Sequence, residues 1–97
     1  MSRNTQDSIR ERCEELCSIL QAKNANYGDT ARESPYMLPW IEPQTALWVR
    51  MSDKIARLRS LLSKEPDKVG ESIRDTLLDL AGYSLLLIME IDKEKED

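Results

Sequence analysis

The chain contains no histidine and no phenylalanine, and only three of its 97 residues are glycine. The absence of histidine excludes Ser-His-Asp and Cys-His nucleophilic arrangements. It also makes the two cysteines, Cys13 and Cys17, a poor basis for a zinc site. Four residues apart on one predicted helix, they read as two small buried apolar side chains. Three glycines are too few for a fold of many tight turns, and they do not form a glycine-rich phosphate loop. Lysine and arginine are not in excess: 14 basic against 18 acidic residues give a net charge of −4. That balance argues against a direct nucleic-acid binder, which neutralises phosphates with surplus cations. It does not argue against a nucleotide site that brings its own metal. Long apolar runs are missing too. The longest, Leu85 to Met89, is far short of the roughly 20 residues needed to span a bilayer. Residues 1–8 are polar and carry no signal-peptide pattern, so a cytoplasmic protein is expected.

What is present favours helix. Leu, Ile, Ala and Met supply most of the apolar content, a mix suited to an all-α domain rather than a β-sandwich. The length allows one domain. A core this small is marginal alone, so completion by oligomerisation is expected. Three helices are predicted. The first runs from about Thr5 to Asn26, capped by Asn4, Thr5 or Asp7 and stopped by Gly28. Ile9, Cys13, Leu16, Cys17 and Leu20 form its apolar face, with Glu11 and Glu15 pointing away. The second runs from about Gln44 to Ser63, with Leu47, Met51, Ile55, Leu58 and Leu62 as its stripe. The third runs from about Val69 to Asp92, after a connector from Lys64 to Lys68. Lys93 to Asp97 read as a fraying tail. Between the first two helices, residues 28–43 hold three prolines among Tyr36, Met37, Leu38, Trp40 and Ile41. So many large apolar groups predict a packed, ordered loop rather than a disordered linker.

The residues able to carry chemistry are carboxylates, lysines and arginines. Glu71, Asp75 and Asp79 recur every four residues, so they line one side of the third helix over two turns. Such a row is either a solvated acidic face or a set of oxygen ligands for a hard divalent ion such as Mg²⁺. The second half of that helix is apolar all round, which predicts cover on more than one side, supplied by another subunit. The second helix carries Arg50, Asp53, Lys54 and Arg57. These either pair with one another or supply a further carboxylate and three cations for phosphate oxygens. At the end of the first helix, Lys23, Asn24 and Tyr27 continue the inward apolar phase. They read either as polar groups facing a ligand or as the approach to a helix cap.

Three segments resemble a known family: Lys23-Asn24 with Tyr27-Gly28, Val49 through Leu58 (VRMSDKIARL), and Asp75 through Tyr83 (DTLLDLAGY). The resemblance is to small phage and prophage proteins of the nucleotide modification associated domain 1 family. That family is in turn distantly similar to the MazG-like all-α nucleoside triphosphate pyrophosphatases. Those proteins are helical bundles that form dimers or tetramers and bind Mg²⁺ through acidic residues on neighbouring helices. The chain departs from them on the earlier helix, where their Glu-Glu-x-x-Glu run is replaced by a stretch with Asp53 as its single acid.

The resemblance implies a metal-dependent pyrophosphohydrolase acting on (deoxy)nucleoside triphosphates in phage nucleotide metabolism. Asp53, Asp75 and Asp79 would hold Mg²⁺ (or Mn²⁺), with Glu71 as ligand or general base and Glu71 and Asp79 as the catalytic pair. Lys23, Arg50, Lys54 and Arg57 would hold phosphate oxygens, while Asn24, Tyr27 and Trp48 would contact the base. The alternative expectation is a non-catalytic helical oligomer that binds a nucleotide or a protein. On that reading Asp53 or Asp79 pairs with Lys54 or Arg57 across the second and third helices.

Overall fold

The computed structural model describes residues 4–63 and 66–96; within these spans the side chains of residues 27, 66–72 and 96 are not described. Three helices account for most of the chain: α1 (Thr5–Tyr27), α2 (Pro43–Leu62) and α3 (Pro66–Glu96). A single 3-10 turn, Thr30–Arg32, lies between α1 and α2. The architecture is all-α, with no strand among the described residues.

The helix ends follow from local chemistry. Asn4 takes an extended conformation, and its Oδ1 accepts from the Asp7 amide at 2.8 Å, capping α1. Gly28, at φ 69°, ends it in a conformation that a side chain would disfavour. Pro43 opens α2, where its missing N–H costs nothing. Pro66 likewise falls in the first turn of α3, so that helix starts three residues before the predicted Val69. At the other end α3 continues to Glu96; the segment read as a fraying tail is helical as far as it is described. In the loop, Pro35 and Leu38 carbonyls accept from the Leu38 and Ile41 amides, which gives it ordered turns. Its large apolar side chains Tyr36, Met37 and Trp40 are nevertheless exposed, not packed as expected.

α2 and α3 form an antiparallel pair: Arg57 meets Thr76, Lys54 meets Asp79, and Arg50 meets Tyr83. α1 advances along α3 in the same direction as that helix. Glu15 meets Arg74, Leu20 meets Gly82, and Arg32 of the 3-10 turn reaches Glu90. Gly82 leaves room for the Leu20 side chain. A Cβ there would lie 2.7 Å from Leu20 Cδ2, which explains a glycine inside a helix where alanine would be favoured.

The buried faces differ from those predicted. On α2 the residues turned inward are Ala46, Leu47 and Leu61, with Arg50 and Lys54 half-buried between them. Ile55 and Leu62, expected in the stripe, are 55% and 69% exposed. On α1, Cys13 and Cys17 are exposed rather than buried. Glu15, expected to point away, faces α3 and holds Arg74 through two bonds of 2.6 and 2.9 Å. In each case the helix is rotated so that a charged side chain reaches a partner across the gap, which leaves part of the apolar face outside.

Candidate functional site

α1, α2 and α3 converge on one open pocket of about 330 Å³. Lys23 and Asn24 come from the last turns of α1, Gly28, Thr30 and Ala31 from the turn that follows, Arg50 from α2, and Tyr83 from α3. Leu20 and Leu86 supply the apolar floor. The Arg50 guanidinium stands over the Tyr83 ring, 6.0 Å from its centroid, within the range of a cation–π contact. Two cations line the pocket and no carboxylate does. A second hollow, lined by Glu42, Glu90 and Glu94 with Lys93, has the opposite character and would repel an anion.

Asp79 borders the pocket through its partners. Lys23 Nζ donates to Asp79 Oδ1 at 3.0 Å, and Lys54 Nζ lies 3.2 Å from Oδ2. Burial pushes this carboxyl up, but the hydrogen bonds and charges of the two lysines outweigh it and hold the group below the ordinary aspartate value. Arg57, one turn beyond Lys54, is exposed and donates from Nε to Oγ1 of Thr76 at 3.3 Å. Thr76 is buried, so this bond satisfies a hydroxyl at the α2–α3 contact.

The structure therefore brings Lys23, Asn24 and Arg50 to one pocket, with Lys54 and Asp79 joined to it by ion pairs. Asp53 and Asp75 are exposed on α2 and α3. Glu71 lies on α3 and Tyr27 at the end of α1, but their side chains fall outside those described. Trp48 is 53% exposed and does not line the pocket. Sequence reasoning missed Tyr83, Thr30 and Ala31. Tyr83 could have been found from its position four residues after Asp79, on the same side of α3. The turn residues left no such signal, because nothing in a short loop fixes where it folds.

The grouping of the expected Mg²⁺ ligands is described for Asp53, Asp75 and Asp79, while the Glu71 side chain lies outside the described residues. Among the described residues, no group of three or more His, Cys, Asp or Glu is placed to hold a metal ion. Both oxygens of Asp79 are engaged by ammonium groups.

Residues 23–91, more than two thirds of the chain, match the model of the family described as nucleotide modification associated domain 1. The match begins at Lys23 and takes in every lining residue of the pocket except Leu20. No curated protein and no solved structure matches the chain.

Proposed function

The chain belongs to the nucleotide modification associated domain 1 family, and from that premise we propose that it is a nucleotide-binding protein whose site is the pocket at the end of α1. The observation that carries this reading is the convergence of Lys23, Asn24 and Arg50 with the Tyr83 ring. Lys23 and Arg50 supply charge and donors for phosphate oxygens. The Asn24 amide can both donate to and accept from a base edge, and Tyr83 offers aromatic surface. The Lys54–Asp79 pair supports a binding module, since it satisfies the acid across α2 and α3 without a metal.

A second reading is the metal-dependent pyrophosphohydrolase implied by the MazG-like resemblance. Its support is the spacing of Asp75 and Asp79 on one side of α3, with Asp79 beside the pocket. The two readings separate in calorimetric titration of a nucleoside triphosphate mixture, with and without Mg²⁺ or Mn²⁺, followed by product analysis. Binding without pyrophosphate release supports the module. Metal-dependent pyrophosphate release establishes the enzyme instead. Failure of every nucleotide to bind removes both.

The active species on either reading is a homo-oligomer in the cytoplasm, that of the host if the chain is phage-encoded. No helix among the described residues is long and apolar enough to cross a membrane. The single chain exposes 7589 Å², where a folded monomer of this mass exposes about 5,700 Å². Its radius of gyration is 15.7 Å, against about 12.5 Å for a compact domain of this length. Trp48, Ile55 and Leu62, spaced by seven on α2, are exposed on one face, and so are Leu77, Leu85 and Ile88 of α3. Apolar stripes of this kind suit a second copy of the chain.

A further inference from the structure

We propose that Asp79 is a positioning residue of the pocket: held from α2 by Lys54, it sets the place of the Lys23 ammonium at the rim and so the affinity for the anionic part of the ligand. The inference rests on the nucleotide-binding reading and adds to that site a residue that does not itself touch the ligand.

The contacts run in series through three helices. Lys54 of α2 places Nζ 3.2 Å from Asp79 Oδ2, and Asp79 of α3 accepts at Oδ1 from Lys23 Nζ of α1 at 3.0 Å. Lys23 lines the pocket, whereas Asp79 and Lys54 do not. Exposure rises toward the pocket. The side chains of Lys54 and Asp79 are 26% and 28% exposed, and that of Lys23 is 53% exposed. The inner pair is therefore the fixed base, and the outer ammonium is the end that a ligand meets.

A lysine carries a compact charge on a flexible four-carbon stem. Gathering such a group onto a ligand costs side-chain entropy, and a hold made during folding removes that cost from binding. Lys23 interacts elsewhere as well, and the role of Asp79 does not need it idle. An ammonium has three N–H donors and turns them about its last bond.

Charge and position act with opposite signs. As a bare negative charge beside the pocket, Asp79 would repel a phosphate, and its removal would tighten binding. Its field is muted here, because each carboxylate oxygen already faces an ammonium group. As the hold on Lys23 it favours binding, and its removal weakens it.

The test is calorimetric titration of the full chain with the four deoxynucleoside triphosphates, in EDTA and again in Mg²⁺. Wild type, Asp79→Asn, Lys23→Gln and the double variant are compared, with helicity checked by circular dichroism. Asp79→Asn should weaken the tightest-bound nucleotide roughly three- to ten-fold, in EDTA and in Mg²⁺ alike. Added to Lys23→Gln it should cost less than about two-fold, since the group it acts through is gone. Asp79→Glu keeps a carboxylate and should return most of the affinity. Lys54→Gln should weaken binding alone and add nothing to Lys23→Gln, which decides the matter if Asp79→Asn does not fold. Unchanged or tighter binding by Asp79→Asn, or an equal loss with and without Lys23, would overturn the positioning role and leave nucleotide binding standing. Wild-type binding that needs Mg²⁺, or a loss confined to Mg²⁺, would do the same and favour Asp79 as a metal ligand. No binding of any nucleotide by the wild type would overturn the role and the reading beneath it together.

Discussion

Arg32 donates from Nε to Oε1 of Glu90 at 2.5 Å, and the Glu90 side chain is only 9% exposed. This pair ties the 3-10 turn after α1 to the last third of α3. Thr30 and Ala31 of the same turn line the pocket, so the pair also holds one pocket wall. Removing the arginine leaves a buried carboxylate without its cation. Arg32→Ala should therefore destabilise the fold by roughly 2–4 kcal/mol, read from the urea midpoint. Adding Glu90→Gln to that variant should recover part of the loss. A change within a few tenths of a kcal/mol for Arg32→Ala would show that the turn is not fastened this way.

Gly82 faces Leu20 where α1 crosses α3. Gly82→Val should push the helices apart and cost about 1–3 kcal/mol, the usual price of overpacking. Leu20→Ala should relieve the clash, so the double variant should be more stable than the sum of the two singles predicts. Strict additivity in thermal or urea melts would place the close approach elsewhere.

The Asp79 carboxyl is held below its ordinary value of 3.8 by Lys23 and Lys54, against the opposing effect of burial. A depressed acid stabilises the fold above its unfolded value, and that contribution is lost as pH falls through the folded value. The stability provided by the two pairs should thus be complete at neutral pH and should decline below about pH 4. Both lysines are part-exposed, so each pair is expected to contribute no more than about 1 kcal/mol. Asp79→Asn should lower stability at pH 7 and flatten the acid limb of a stability-against-pH curve. An unchanged limb would mean that the pairs do not persist in solution.

Light scattering at micromolar concentration should give the mass of a dimer or larger. Ile55→Lys, which puts charge on the exposed α2 stripe, should shift the species toward monomer while the helical signal is kept. A wild-type monomer would leave the exposed stripes of α2 and α3 without an explanation.

The three helices were legible in the sequence because capping and proline chemistry act within a few residues. Asn4, Gly28 and Pro43 set their boundaries with no help from the rest of the chain. Pro66 was the exception among these signals, taken for a connector residue although a proline is at home in the first turn of a helix. The charged residues of α2 were legible as a group, but their partners were not. That Arg57 meets Thr76 while Lys54 meets Asp79 depends on how α2 is rotated against α3. Periodicity gives the direction of an apolar face only to within a turn, and here Leu47 marks it while Ile55 and Leu62 do not.

By itself, the sequence determined helix, length and charge: the absence of histidine, the scarcity of glycine and the four-residue spacing of Asp75 and Asp79 all act through local chemistry. Only the tertiary structure decided which of those groups meet. Lys23 and Asp79 are 56 residues apart, and Arg32 and Glu90 are 58 apart. No local rule relates such pairs. Their meeting is set by the helix packing that Leu47 and Gly82 allow, because a side chain's partner depends on the face its helix turns inward, and that choice is made by the whole core at once.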